Sequence, residues 1–282
     1  MQAAACNMAR SKAEDPMTQR VTIAVRDGIA DVRLNRPDKM NALDPAMFDG
    51  IVAAIERLAQ MRDVRCIVLS GEGRGFCAGL DMATMAGPGA GADLALRDWG
   101  IANKAQQVAW GWRMLPQPVI AAVHGVAFGG GFQIMSGADI RIAHPQARFA
   151  IREVHWGLVP DMAGVALWRT LARDDVLREL TYTAREFDGV EAERLGFVTR
   201  LSDDPLGEAM ALARTIAARS PDAVRGAKRL YNLAADADAA AVLEAETAEQ
   251  MRVIRTPDQI EQVRANMEKR TAVFEPYERQ EL

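Results

Sequence analysis

The segment from Phe128 to Gln133 carries three consecutive glycines, Gly129, Gly130 and Gly131, and is the first place where this sequence offers chemistry. It follows the apolar run Pro118 to Val123 and opens a helix-like stretch, Phe132 to Gly137. A strand, a glycine turn and a helix in that order present bare backbone N–H groups at the positive end of a helix dipole. Such a turn holds an anion, or a carbonyl oxygen that becomes negative during a reaction. Downstream, Glu153 and Asp161 add two carboxylates in turn-like sequence. N–H donors together with carboxylates suggest enolate chemistry at a carbonyl compound.

Several elements must position these groups. Val21 to Val25 and Ile29 to Leu34 alternate apolar and polar residues around Asp27-Gly28, a hairpin signal. Asp44-Pro45 reads as N-cap and first residue of a helix running to Met61. Val64 to Leu69 is a continuous apolar strand, expected to be buried on both faces. A helix is expected over about residues 93–115, with Trp99, Trp110 and Trp112 as packing residues. Further strands are expected at Val119 to Val123, Ile140 to Ala143 and Arg148 to Ile151. From about Gly164 the pattern is almost entirely helical, with helix starts at Ser220-Pro221 and Thr256-Pro257. Alternating strands and helices followed by a helical third argue an α/β fold. The expected division is a leader over 1–16, a core over 17–205 and a helical region over 206–282. The glycine-rich stretch Gly87 to Gly91 is expected to be mobile.

Composition excludes several functions. The 282 residues are 49% hydrophobic and carry a formal net charge of -4, which argues against nucleic acid or an anionic membrane as partner. No apolar run approaches the roughly 20 residues of a spanning helix, so a cytoplasmic location is expected. The 3 cysteines, Cys6, Cys66 and Cys77, have no CxxC spacing, and His124, His144 and His155 have no metal-ligand spacing. No metal is expected. Ile134 stands where a dinucleotide fingerprint needs its third glycine, and neither a GxSxG serine nor a P-loop is present.

Four segments together resemble the crotonase family, the enoyl-CoA hydratase/isomerase superfamily. They are Asn35 to Leu43, Gly75 to Asp81, Pro118 to Gly131, and Ala138 to Leu158, with Ala192 to Val198 and Glu268 to Arg270 as further matches. The likeness spans roughly Val21 to Phe274. It implies an α/β spiral of ββα units, a helical C-terminal oligomerisation region that builds homotrimers or dimers of trimers, and coenzyme A thioester substrates. No separate cofactor is implied, because coenzyme A arrives as part of the substrate. By the resemblance, the N–H groups of Leu80 and Gly130 hold the thioester oxygen. Coenzyme A is expected along Met40 to Ala42 and Ala78 to Asp81, with Lys39, and Lys269 from a neighbouring subunit, near its phosphates.

The family's hydratases use two glutamates to activate water. Glu153 matches the second, but Gln133 occupies the first position. An amide orients water and does not take up its proton. Asp161, eight residues past Glu153, matches the aspartate of the family's dienoyl-CoA isomerases. The resemblance therefore implies a proton-moving isomerase of unsaturated acyl-CoA. Asp161 would remove a proton far from the thioester, Glu153 would return one near it, and Gln133 would orient substrate or water. Alternative readings are an enoyl-CoA hydratase using mainly Glu153, a non-catalytic CoA-thioester binding protein, and a hydrolase or dehalogenase in which Asp161 attacks. Asp161 also has the plain reading of a helix N-cap before Met162 to Val165.

Overall fold

A computed structural model describes residues 19–85 and 94–274. The expected leader, the Gly87 to Gly91 stretch and Cys6 lie outside the described residues. The chain opens with β1 (Val21–Arg26) and β2 (Ile29–Leu34), an antiparallel hairpin. Asp27 and Gly28 both have positive φ, 53° and 73°, as a tight two-residue turn between twisted strands requires. Helix α1 (Pro45–Gln60) starts where Asp44 accepts the N–H of Met47 at 2.8 Å. Then come β3 (Cys66–Gly71), the single turn α2 (Met82–Met85), and α3 (Lys104–Met114).

Two strand–strand–helix units follow. The first is β4 (Val119–Val123), β5 (Val126–Phe128) and α4 (Gly130–Ser136). The second is β6 (Ile140–Ala143), β7 (Arg148–Ala150) and α5 (Gly164–Trp168). The chain continues through α6 (Asp174–Thr183), β8 (Phe187–Asp188), α7 (Gly189–Leu195) and β9 (Arg200–Leu201). It ends with α8 (Pro205–Ala217), α9 (Pro221–Ala234), α10 (Ala239–Val253) and α11 (Pro257–Glu268).

The larger sheet has the order β1-β2-β3-β4-β6-β9, and every pairing except the hairpin is parallel. The smaller sheet has the order β5-β7-β8. A bridge from Cys77 to Ala127 adds the segment after β3 beside β5. The chain therefore passes repeatedly from large sheet to small sheet to helix, which is the expected ββα spiral. Alternation along the large sheet separates two apolar layers. Ile67, Leu69, Ala121 and Val123 face the main core, whereas Cys66, Val68, Ile120 and Ala122 face Ala209, Ala213 and Ala217 of α8. So α8 is a layer of the core, and the helices after it are the outlying ones. Helix α9 is tied down by buried Lys228, whose ammonium donates to the carbonyl of Gln117 at 2.9 Å and pairs with Asp139 at 2.8 Å. Asp139 also accepts the N–H of Val119 at 2.8 Å, so its carboxylate is taken up structurally.

Two expectations change. The helix expected over 93–115 begins only at Lys104. Asn103 and Gln106 form a reciprocal capping box there, and Gly100 upstream has φ of 65°, so the described residues from Leu94 to Ala102 turn instead. The glycine turn also follows the short β5 and not β4 directly. Gly125, at φ of 62°, kinks the chain between them, and a Cβ there would stand 2.0 Å from the carbonyl oxygen of Arg74. That kink sends the second strand into the other sheet. No helix among the described residues is long and apolar enough to cross a membrane.

Candidate active site

The N–H side of the site is assembled from two loops laced by backbone. Asn41 is fully buried in a left-handed conformation, φ of 56°. Its amide nitrogen donates to the carbonyls of Glu72 (2.9 Å), Gly75 (2.9 Å) and Phe76 (3.1 Å), and its oxygen accepts the N–H of Arg36 at 2.7 Å. The 75–81 loop is thereby pinned to the 35–43 loop. Three backbone bonds complete the seam: Ala78 N–H to Met40 (2.9 Å), Leu43 N–H to Gly79 (2.8 Å) and Asp81 N–H to Leu43 (3.0 Å). Gly79 and Asp81 both face Leu43, so the N–H of the intervening Leu80 points the other way.

Gly79 explains how close the second segment comes. Its φ is 88°, and a Cβ there would stand 2.7 Å from the carbonyl oxygen of Phe128 and 3.7 Å from the nitrogen of Gly130. A Cβ on Gly131 would stand 2.4 Å from the carbonyl oxygen of Cys77. The 77–80 and 128–131 segments thus pack backbone against backbone, which only glycine permits. Gly130 is the first residue of α4, where an N–H has no partner inside the helix. Among the described residues, neither the Leu80 nor the Gly130 N–H is given to another backbone group. Two free donors therefore flank one seam.

The carboxylate side is built from side chains. Glu153 is only 6% exposed. A Cβ on Gly129 would stand 3.4 Å from its Oε1, so the carboxylate adjoins the glycine turn. Oε1 accepts a 2.6 Å hydrogen bond from Nε2 of Gln133, and the buried Oε2 has no protein partner. Burial pushes the Glu153 carboxyl up from its ordinary range, and the charge of Asp161 pushes it further. Asp161 must therefore lie within electrostatic reach of Glu153. Burial raises the carboxyl of Asp161 too, partly offset by a hydrogen bond from its own backbone N–H. Asp161 is not an N-cap: α5 is preceded by Ala163 in a left-handed conformation, with no side-chain cap.

Gln133 is held on three sides by the protein itself. It is fully buried, and its Oε1 accepts the N–H of Met162 at 2.9 Å and of Gly164 at 2.8 Å. Both lone pairs are filled and one N–H of the amide nitrogen is given to Glu153, so the amide oxygen accepts nothing from water or substrate. A single amide, buried by α4 and α5, serves as internal scaffolding.

The remaining expected residues separate into two groups. Met40, Ala42, Ala78, Leu80 and Asp81 lie along the laced seam, with exposed Lys39 just outside it. The Asp81 side chain is taken by Arg36 at 2.7 Å, which holds its carboxyl below the usual range. Arg36 also reaches Asp44 at 3.6 Å and the carbonyl of Ala42 at 3.1 Å. Sequence reasoning missed this clamp, and its only signal was an arginine inside the motif beginning at Asn35. Lys269 is not brought to the seam within one chain. It is the exposed, left-handed residue ending α11, which packs on α9. The chain after it places Phe274 against Arg65, 5.4 Å from ring centre to guanidinium, at the start of β3 and so opposite the 72–81 loop.

The described cysteines and the histidines His124 and His155 are engaged elsewhere in the fold. Burial pushes the thiols of Cys66 and Cys77 up to about 12. His124 bonds the carbonyl of Gly73 at 2.9 Å, and His155 stacks edge-on against Trp156 at 5.1 Å. No group of His, Cys, Asp and Glu among the described residues could hold a metal ion.

Comparison with known proteins matches residues 24–277 to the enoyl-CoA hydratase/isomerase family. The chain is 34% identical over 249 residues to mouse mitochondrial Delta(3,5)-Delta(2,4)-dienoyl-CoA isomerase, covering 85% of this chain and 76% of that protein. It is 36% identical over 205 residues to an enoyl-CoA hydratase of Mycobacterium tuberculosis, covering 70% of this chain and 74% of that protein. The solved enoyl-CoA hydratase of Bacillus anthracis superposes with a TM-score of 0.81 at 27% identity, over 92% of this chain and 100% of that one. The spiral, the laced glycine seam and this breadth of match agree, and the chain belongs to the enoyl-CoA hydratase/isomerase family.

Proposed function

We propose that this enzyme shifts a proton along an unsaturated acyl-CoA, converting a 3,5-dienoyl thioester to its 2,4 isomer. The observation that carries this reading is buried Glu153 joined through the Gln133 amide to the backbone N–H of Met162, next to Asp161, beside two free N–H donors. The thioester oxygen would sit between the N–H groups of Leu80 and Gly130. Charge developing there is worth about 3 kcal/mol for one such donor. That stabilisation makes the C2 proton acidic.

For a 3,5-dienoyl thioester the C2 proton leaves first, so in this direction the two carboxylates take the opposite roles to those the resemblance implies. Glu153 adjoins Gly129, close to the thioester end, so it takes the C2 proton. The resulting dienolate spreads its charge to C6, and Asp161 delivers a proton there. The C2–H and Asp161 O–H bonds break while the C6–H and Glu153 O–H bonds form. Asp161 as base and Glu153 as acid describe the return direction. Each turnover leaves the proton on Glu153, which releases it to water once product departs, while solvent-open Asp161 takes one up from water, so the next cycle starts from the same protonation state. Hydration fits less well, because Gln133 stands where a hydratase has a second glutamate, and an amide takes up no proton from water.

Coenzyme A would run along Met40–Ala42 and Ala78–Asp81, its phosphates near Lys39 and a neighbouring copy's Lys269. Assembly into trimers or hexamers is supported by the exposed face of Ile260, Val263 and Met267 on α11. Light scattering of the purified protein tests that state, and cell fractionation tests a cytoplasmic location. The activity is tested by mixing the enzyme with a 3,5-dienoyl-CoA and following conjugation by ultraviolet absorbance. No absorbance change would reject the assignment. Hydration of crotonyl-CoA at a higher rate, lost in Glu153→Gln, would select the hydratase instead. Tight acyl-CoA binding without turnover would select a binding protein.

A further inference from the structure

We infer that Gln133 is a positioning residue that sets the span between the two carboxylates and leaves Oε2 of Glu153 as the only oxygen that exchanges protons with substrate. This rests on the isomerase reading only for the identity of the distal step. The geometry itself is a three-bond clamp. At one end Nε2 of Gln133 donates to Oε1 of Glu153 at 2.6 Å. At the other, Oε1 of Gln133 receives the N–H of Met162 at 2.9 Å and of Gly164 at 2.8 Å. Those two N–H groups belong to the backbone that carries Asp161. One rigid amide therefore spans from the proximal carboxylate to the loop of the distal one.

The clamp also divides the Glu153 oxygens. Oε1 is occupied by the amide, and Oε2 is buried without a protein partner. A proton leaving C2 therefore arrives at Oε2, where the O–H bond forms as the C–H bond breaks. The amide cannot turn over: its nitrogen would then face the two N–H groups and its oxygen would face a carboxylate. The arrangement tells against Gln133 as a mere void-filler, since an apolar side chain of that length would leave two buried N–H groups and one carboxylate oxygen unbonded.

Two substitutions test this with readouts that a simple packing role would leave alone. The first readout is solvent deuterium exchange at C2 of a bound acyl-CoA, which needs Glu153 and the N–H donors but not Asp161. The second is isomerisation of a 3,5-dienoyl-CoA, which needs both carboxylates. Gln133→Met is expected to lower isomerisation about a hundredfold, the effect of a displacement near 1 Å. Exchange should fall about tenfold or less, because only one carboxylate must be placed for it. Equal losses in the two assays, or no loss in either, would overturn the span-setting role. Gln133→Glu keeps an acceptor for Met162 and Gly164 and so guards against a folding failure. It sets a second carboxylate against Glu153, and the pair should share a proton. The acid limb of the exchange profile should move to higher pH, and an unmoved limb would overturn the contact with Glu153. Wild-type enzyme that exchanges C2 but does not isomerise would reject the dienoyl activity while leaving the exchange profile to judge the clamp.

Discussion

The donor side of the site is made of backbone, and the carboxylate side is made of side chains. Leu80 and Gly130 contribute only amide hydrogens, held by the seam of Asn41, Gly79 and Gly131. Glu153, Asp161 and Gln133 contribute functional groups that a single substitution can alter. A backbone site persists as long as the chain path does, whatever side chain occupies position 80. A side-chain site can be retuned between neighbouring chemistries without disturbing the fold. Under the proposed mechanism this is a physical reason why one scaffold serves both hydratase and isomerase relatives: the common demand, holding a thioester enolate, falls to the part that cannot drift easily. The distinguishing demand, where protons go, is met by the part that can.

The sharpest break is on the side-chain half. Asp161→Asn and Glu153→Gln should each slow dienoyl isomerisation about a thousandfold, within the range of lost general acid–base catalysis. The absorbance assay reads both, with circular dichroism confirming intact folding. Retained activity in either would dissolve the contrast. Next comes the backbone half. Gly79→Ala places a Cβ 2.7 Å from the carbonyl oxygen of Phe128 at a φ of 88°. It should cost about 1 to 3 kcal/mol of stability, and displacing the Leu80 donor should lower kcat about a hundredfold. Unlike Asp161→Asn, which should spare C2 exchange, it should lower C2 exchange and isomerisation together.

Smaller effects sharpen the picture. Forward turnover needs ionised Glu153 and protonated Asp161, so activity should be bell-shaped in pH, and because both carboxyls are raised by burial both limbs should lie above the ordinary carboxylate range. Stability carries the matching sign. The folded state binds the Glu153 proton more tightly than the unfolded chain, so stability falls as pH climbs from the ordinary glutamate range through the raised value. Glu153→Gln should remove that loss, about 1.4 kcal/mol for every tenfold by which folding tightens the proton's hold, in denaturant titrations at pH 4 and pH 8. Such a variant would be sturdier and inactive at neutral pH. The smallest effect belongs to Leu80→Ala, which leaves its N–H in place and should change kcat by no more than a few-fold.

Much of this was legible beforehand for reasons that are local. The Asp27-Gly28 hairpin, the Asp44 cap and the glycine turn depend on residues a few positions apart, and each formed where the spacing puts it. Glu153 and Asp161 were legible as candidates because few carboxylates sit in turn sequence beside such a motif. The start of α3 lies later than the apolar pattern suggests, because Asn103 and Gln106 cap each other's backbone and fix the first turn there. The Arg36 clamp and the role of Gln133 left no local trace. Their partners, Asp81 and the 153 and 162–164 segments, are 45, 20 and about 30 residues away.

The chain alone determined which groups are present: unsubstituted backbone at 79 and 129–131, acids at 153 and 161, and an amide where a second acid could stand. Covalent identity is a property of single positions, and so is freedom at positive φ. Tertiary structure decided which of these groups meet, and in what state. Only folding filled both lone pairs of Gln133, freed the Leu80 N–H, and buried Glu153 deeply enough to raise its pKa, because hydrogen-bond saturation and desolvation depend on neighbours that sequence order does not supply.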